Sequence, residues 1–264
     1  MKKKKVELIC LPEFISKVVN CVHESVGDGI KEDMHGLKTK NSASARIWDL
    51  LNTKLCEEMP SISCIADVTV RGSWQMVPVF AQDLGFLFTF MRESRFEELR
   101  KSIGKRKNPH YVDCLVSTLN SNIIASFSQT ELYPVISYES SAIGKVVEKI
   151  LFDLKIEREV VNNHVIVLFN SANNELISIR AVMVDCNLNI VHEENWSLYI
   201  PTTESIIMQN SEDYSTSSNN PNRNLSLSDK AHARKNRDIK VKKDNTKKKQ
   251  KSNVIIEKYT RSTK

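Results

Sequence analysis

Basic side chains are concentrated in one stretch of the sequence, which runs from Arg92 to Tyr111. It holds seven cations against three acids, whereas residues 1–221 as a whole are acidic. Guanidinium and ammonium groups bind phosphates and carboxylates, so the stretch predicts a contact surface for nucleic acid or for a protein partner. The candidate binding residues in it are Arg92, Arg95, Arg100, Lys101, Lys105, Arg106 and Lys107.

Arg71 and Trp74 are expected to lie beside the start of this stretch. The strand that begins at Trp74 leads away from them, and the strand that ends near Met91 returns, so Arg71 and Trp74 come close to Arg92 and Arg95. An aromatic ring beside arginines can stack a base while the arginines hold phosphates, or it can anchor a protein partner. The competing interpretation is a solvated helix face with Trp74 in the core.

Two pairs of residues could support RNA cleavage without a metal: Arg106 with His110, and Arg158 with His164. In such a site the histidine moves a proton and the arginine holds the phosphate. The competing interpretation is structural, because His110 also suits the start of a helix and His164 the start of a strand. A metal-independent ribonuclease is therefore the enzymatic alternative to a binding module.

The motifs of most other chemistries are missing. The sequence has no phosphate-binding glycine-rich loop, no zinc-protease motif and no nucleophile elbow. Asp67 suits the first position of a metal-dependent nuclease, but no Glu-x-Lys follows on the next strands. The six cysteines form no Cys-x-x-Cys, which favours reduced thiols in the cytoplasm. We therefore expect no cofactor, no metal and, without a long apolar run, no membrane contact.

The C-terminal segment differs from the rest in composition and charge. Residues 222–264 hold 15 basic and 4 acidic residues, a net charge of +11, whereas residues 1–221 have a net charge of −5. Such a segment cannot bury enough apolar surface to offset the entropy of ordering. We predict a globular domain over 1–208 and a disordered Lys-rich tail over 209–264. The tail, densest at Lys247, Lys248 and Lys249, predicts salt-dependent contact with nucleic acid or, alternatively, a solvated segment.

The hydrophobic period changes from helical to strand-like twice along the domain. Helical spacing covers about 14–26, 42–59, 92–107, 110–124 and 141–154, and residues 27–41 suggest a loop. Alternation covers about 62–71, 74–80, 86–90, 164–169, 176–184 and 188–200, and Pro78 indicates an edge strand or a bulge. Helices and strands are segregated, so we predict an α+β fold with two antiparallel three-stranded meanders and about five helices. The sequence leaves open whether the meanders share one sheet.

The stretch that runs from Arg71-Gly72-Ser73-Trp74 through Phe90 to Phe96 and on to His110-Tyr111 resembles uncharacterised proteins of low-GC Gram-positive bacteria. The resemblance implies a bacterial cytoplasmic setting, and it assigns no activity and no functional residue. Proteins of this size and kind are associated with toxin–antitoxin and phage-defence loci. We therefore expect a cytoplasmic module that binds nucleic acid or a cognate protein partner.

Overall fold

A six-stranded mixed sheet lies at the centre of the fold. The computed structural model describes residues 8–71, 74–123 and 139–202. All of these belong to one compact unit, Met1–Ile206. The predicted tail over 209–264, with its lysines 247–249, lies outside the described residues.

The sheet contains six of the eight described strands, in the order β1-β4-β5-β6-β7-β8, and β2 and β3 pair separately as a two-stranded ribbon. Only the pairing of β5 with β6 is parallel among these described strands. The strands are β1 Cys64–Ala66, β2 Thr69–Arg71, β3 Trp74–Met76, β4 Val79–Ala81, β5 Phe86–Arg92, β6 Asn163–Ala172, β7 Glu175–Val184 and β8 Ile190–Asn195.

The helices cover both faces of this sheet. They are α1 Pro12–Val26, α2 Asp28–Asp33, α3 Ala43–Glu58, α4 Glu93–Lys101, α5 Tyr111–Leu119 and α6 Ser140–Asp153. Helix α2 corrects the loop predicted over 27–41, because its buried Ile30 anchors a short turn of helix that begins at an acidic residue. Helix α4 ends earlier than predicted, since Gly104 turns the chain with φ of 68°.

The α+β class is confirmed, but the arrangement as two separate meanders is wrong. The parallel β5–β6 pair joins both groups of strands in one sheet. Each of the first two predicted strands is also broken in two. Asp67 interrupts one by accepting a hydrogen bond from the Val68 amide at 2.7 Å. Pro78 interrupts the other because it has no amide hydrogen to donate. The two segments between these breaks, β2 and β3, pair with each other and form the ribbon.

Alternation along the central strands divides the core into two layers. On β5, Phe86, Phe88 and Phe90 pack in the layer that contains α1 and α3. Leu87 and Met91 of the same strand pack in the layer that contains α4, α5 and α6. A strand buried on both faces is typical of the middle of a sheet with parallel pairing. The end of β5 is therefore held in place by packing on both faces, and elements from both layers meet there.

Candidate functional site

A cavity of about 320 Å³ lies at the carboxyl end of β5. Helix α3, the ribbon, β5, and the starts of α4 and α5 form its walls. None of the lining residues in the described part of the chain is acidic. They are Ser44, Trp48, Asn52, Arg71, Trp74, Met76, Val77, Thr89, Phe90, Met91, Arg92, Arg95, His110 and Tyr111. The predicted neighbours Arg71, Trp74, Arg92 and Arg95 thus line one cavity with His110.

Arg71 is held over an aromatic ring. It ends β2, opposite Trp74 on β3, and its guanidinium carbon lies 4.0 Å from the centroid of the Tyr111 ring. Among the described residues, no carboxylate forms an ion pair with Arg71. Burial lowers the pKa of this guanidinium, which stays protonated at neutral pH. Arg71 is therefore a partly desolvated cation fixed at the cavity wall.

Arg92 is a second cation of this kind. It ends β5, and its buried Nε has no hydrogen-bond partner in the described part of the chain. One terminal nitrogen donates a long hydrogen bond of 3.5 Å to the Ser171 hydroxyl, and the guanidinium carbon lies 5.9 Å from the Phe169 ring centroid. Burial lowers its pKa as well. Because no carboxylate of the described residues forms an ion pair with Arg92, this charge is available to an anion in the cavity.

Arg95 adds a third guanidinium, from the first turn of α4. It donates to Glu98 at 2.7 Å, and both side chains of this pair are more than half exposed. Helix α4 begins at the cavity, and its N-cap residue, Arg92, supplies no side-chain acceptor for the first amides. The positive end of the helix dipole therefore adds to the field of the arginines.

His110 contributes a neutral ring rather than a charge. Burial and the nearby Arg71, Arg95 and Arg106 lower its pKa to about 3. Its Nδ1 accepts from the Val112 amide at 3.4 Å as the N-cap of α5. In the tautomer that this bond requires, Nε2 bears the hydrogen and is a donor. His110 therefore begins a helix, as the structural interpretation predicted, and still lines the cavity.

A buried polar chain lies behind the cavity wall. The Thr89 hydroxyl is 2.9 Å from Nε2 of His164, and a hydrogen bond also links Thr89 to Tyr111. His164 is fully buried, and this burial lowers its pKa to about 3. Burial likewise raises the pKa of Tyr111. The chain fixes the Tyr111 ring on which Arg71 stacks, and it holds His164 away from solvent.

Aromatic rings and an amide complete the cavity. Trp74 is 47% exposed, so it is not a core residue. Trp48 packs edge-on against Phe169 at 5.6 Å between centroids, and Asn52 accepts from the Val77 amide at 3.2 Å. Neither Trp48 nor Asn52 was among the predicted site residues. The sequence signal that could have identified Asn52 is its spacing of four residues from Trp48, which puts the two side chains on the same face of α3.

Several of the predicted basic residues lie outside the cavity. Arg100 pairs with Glu97 at 3.0 Å on the outer face of α4. The side chains of Lys101, Lys105 and Lys107 are exposed and do not line the cavity. The basic stretch therefore divides into a cavity group at its start and a solvated group at its end.

Arg106 and Arg158 form hydrogen bonds within the fold. Arg106 donates two hydrogen bonds of 2.6 Å to the carboxylate of Asp113, which also accepts from the His110 amide. Arg158 donates to the backbone carbonyls of Thr118 and Val161, each at 2.9 Å. Both arginines of the proposed catalytic pairs thus have structural partners.

Residues 8–71, 74–123 and 139–202 contain no group of three or more His, Cys, Asp or Glu side chains that could hold a metal ion. Within the same ranges, no helix is long and apolar enough to cross a membrane.

Comparison with known proteins gives a family without an assigned activity. The model of a family of unknown function, DUF5986, matches residues 11–247. No curated protein and no solved structure matches the chain. Because the family match covers most of the sequence, the chain belongs to the family of unknown function DUF5986.

Proposed function

We propose that the protein binds nucleic acid, with the arginine-lined cavity as the specific contact. The observation that supports this most strongly is that the described residues lining the cavity include three guanidinium groups and no acid. Guanidinium groups match phosphate oxygens in charge and in geometry. A phosphate in the cavity would compensate the charges of Arg71 and Arg92, which pair with no carboxylate among the described residues.

The aromatic side chains favour nucleic acid over an acidic protein. Trp74 is half exposed at the rim, and the Tyr111 ring lies beneath Arg71. Flat rings beside arginines suit the faces of bases, and base–aromatic stacking contributes about 1–3 kcal/mol per base. A peptide carboxylate would use the arginines without needing these rings.

Binding is better supported than RNA cleavage. A general base needs an accessible lone pair and a pKa near the working pH. His110 uses Nδ1 as a helix cap and has a pKa of about 3, and His164 is fully buried. Each histidine is therefore placed to fix structure rather than to accept a proton from substrate. Cleavage of RNA that depends on His110 would favour the ribonuclease alternative.

The experiment is a binding titration of the full chain with a labelled single-stranded oligonucleotide. Replacing Arg71 and Arg92 together by glutamine should weaken binding about a hundredfold or more, because a charge-assisted hydrogen bond contributes about 1.5–3 kcal/mol. The matched control is Arg46→Gln, since Arg46 pairs with Asp33 outside the cavity. Equal affinity of the double variant and the wild type would refute the proposal.

The Lys-rich segment is proposed to add affinity that does not depend on sequence. Its net charge of +11 predicts a steep fall in affinity as salt rises, because each lysine at a phosphate releases counterions. Removing residues 209–264 should flatten the salt dependence and leave the effect of the Arg71 and Arg92 substitutions in place. An unchanged salt slope would exclude this role. A cognate protein partner and a place in a toxin–antitoxin or phage-defence locus stay predictions.

A further inference from the structure

The charge in the cavity indicates which phosphate it takes. Arg95 already has a carboxylate partner in Glu98, whereas Arg71 and Arg92 have none among the described residues. His110 is neutral at physiological pH because its pKa is lowered to about 3. Two uncompensated positive charges therefore face the cavity. Charges that are removed from water are costly unless a ligand neutralises them.

A phosphate monoester matches this charge and an internal phosphodiester does not. The monoester at a strand end has a charge of roughly −1.5 to −2 at neutral pH, whereas a diester within the strand has a single negative charge. A monoester also offers three oxygens, enough for two guanidinium forks and the Nε2–H donor of His110.

The size and the walls of the cavity favour one nucleotide. Its volume of about 320 Å³ lies at the lower end of the range for small-ligand sites, roughly 300–1,000 Å³. Trp74 at the rim offers a face for the attached base. A duplex does not fit a cavity of this size, and a strand would reach it with one end.

We infer that the cavity binds the terminal phosphate monoester of a nucleotide and that Arg71 and Arg92 hold this phosphate between them. This inference rests on the proposed function. The same chemistry occurs at the phosphorylated end of a strand and in a free mononucleotide, and the experiment separates these two sources.

The test uses the full chain and competition between unlabelled oligonucleotides of one sequence. One has a phosphate on its 5′ end, one has it on its 3′ end, and one has no terminal phosphate; a nucleoside monophosphate is the fourth competitor. We expect one phosphorylated strand to bind at least about tenfold more tightly than the unphosphorylated strand. This preference should disappear in Arg71→Gln/Arg92→Gln and persist in Arg46→Gln. A mononucleotide that competes equally well would identify the free nucleotide as the source.

A pH series gives an independent readout. The second pKa of a phosphate monoester is about 6, so the preference should shrink severalfold between about pH 7.5 and 5. The groups of the site whose pKa values are shifted do not titrate in this range. Arg71 and Arg92 stay charged, His110 and the buried His164 stay neutral, and the pKa of Tyr111 is raised.

Two results would overturn the inference. If all three strands bind equally but still depend on Arg71 and Arg92, the cavity takes an internal phosphate and only the proposed function survives. If no strand depends on these arginines, both proposals fail. Because glutamine at Arg92 could disturb the end of β5, Arg71→Lys/Arg92→Lys is the second variant. It keeps the charge, and it should lose most of the preference because a lysine cannot form the fork.

Discussion

The guanidinium of Arg71 lies on the ring of Tyr111, 4.0 Å from its centroid. This contact joins the ribbon β2–β3 to the start of α5, and it gives one wall of the cavity its shape. A hydrogen bond between Thr89 and Tyr111 holds the ring from behind. The position of the arginine therefore depends on an aromatic residue that makes no ion pair with it.

Replacing Tyr111 by leucine should weaken oligonucleotide binding about fivefold to thirtyfold, because a partly desolvated cation–π contact contributes about 1–2 kcal/mol. Tyr111→Phe keeps the ring and should bind within about threefold of the wild type. Fluorescence anisotropy measures both, and a thermal melt checks that each variant folds. If leucine and phenylalanine give the same affinity, the stacked arginine does not contribute to binding.

Trp74 should contribute to affinity and hardly at all to stability. Its side chain is 47% exposed at the rim of the cavity, so Trp74→Ala exposes little new apolar surface. Loss of one stacked base predicts about a tenfold weaker affinity for single-stranded nucleic acid, and Trp74→Phe should restore most of it. The matched control is the exposed Leu198→Ala, which lies outside the cavity. A melting temperature that falls by many degrees would instead place Trp74 in the core.

Asp113→Asn should destabilise the fold by about 3 kcal/mol, because it leaves the partly buried guanidinium of Arg106 without its charged partner. The same substitution weakens the cap at His110, where Asp113 accepts from the backbone amide. Urea unfolding measures the loss. The control Glu97→Gln removes an exposed pair with Arg100 and should cost at most about 0.5 kcal/mol. A loss below about 1 kcal/mol in Asp113→Asn would contradict the structural role of the pair.

His164 should make the fold less stable as the pH falls below its ordinary pKa of 6.5. Burial lowers the pKa in the folded state to about 3, so the unfolded chain takes up a proton there first. The contribution of neutral His164 to the free energy of unfolding is complete above pH 6.5. It declines by about 1.5 kcal/mol between pH 6.5 and 5.

Unfolding free energies of the wild type and of His164→Gln across this range test the assignment. The difference in unfolding free energy between the wild type and His164→Gln should shift against the wild type as the pH falls from 6.5 to 5. Parallel curves for the wild type and His164→Gln would show that His164 is not held neutral in the folded state.

Most helices and strands could be predicted from the spacing of hydrophobic residues, because this spacing shows which side of a helix or strand is buried. Helical spacing located α1 and α3 within a few residues of their bounds in the structure. The parallel pairing of β5 with β6 was not readable, since strand order depends on packing between distant segments. Nor was the break at Asp67, because alternation continues through it.

The candidate site was partly readable for a similar reason. The predicted hairpin placed Arg71 and Trp74 close to Arg92, and all three line the cavity, although β2 and β3 pair in the separate ribbon. Tyr111 and Thr89 complete the cavity from α5 and β5, and no local pattern links them. Arg106 was predicted as a binding or catalytic residue, whereas the structure pairs it with Asp113.

The most direct test of the central claim is a crystal structure of the full chain with a dinucleotide that has a 5′-terminal phosphate. We predict the phosphate between the guanidiniums of Arg71 and Arg92, with a base against Trp74. A dinucleotide bound elsewhere, with the cavity closed by protein side chains, would contradict the claim.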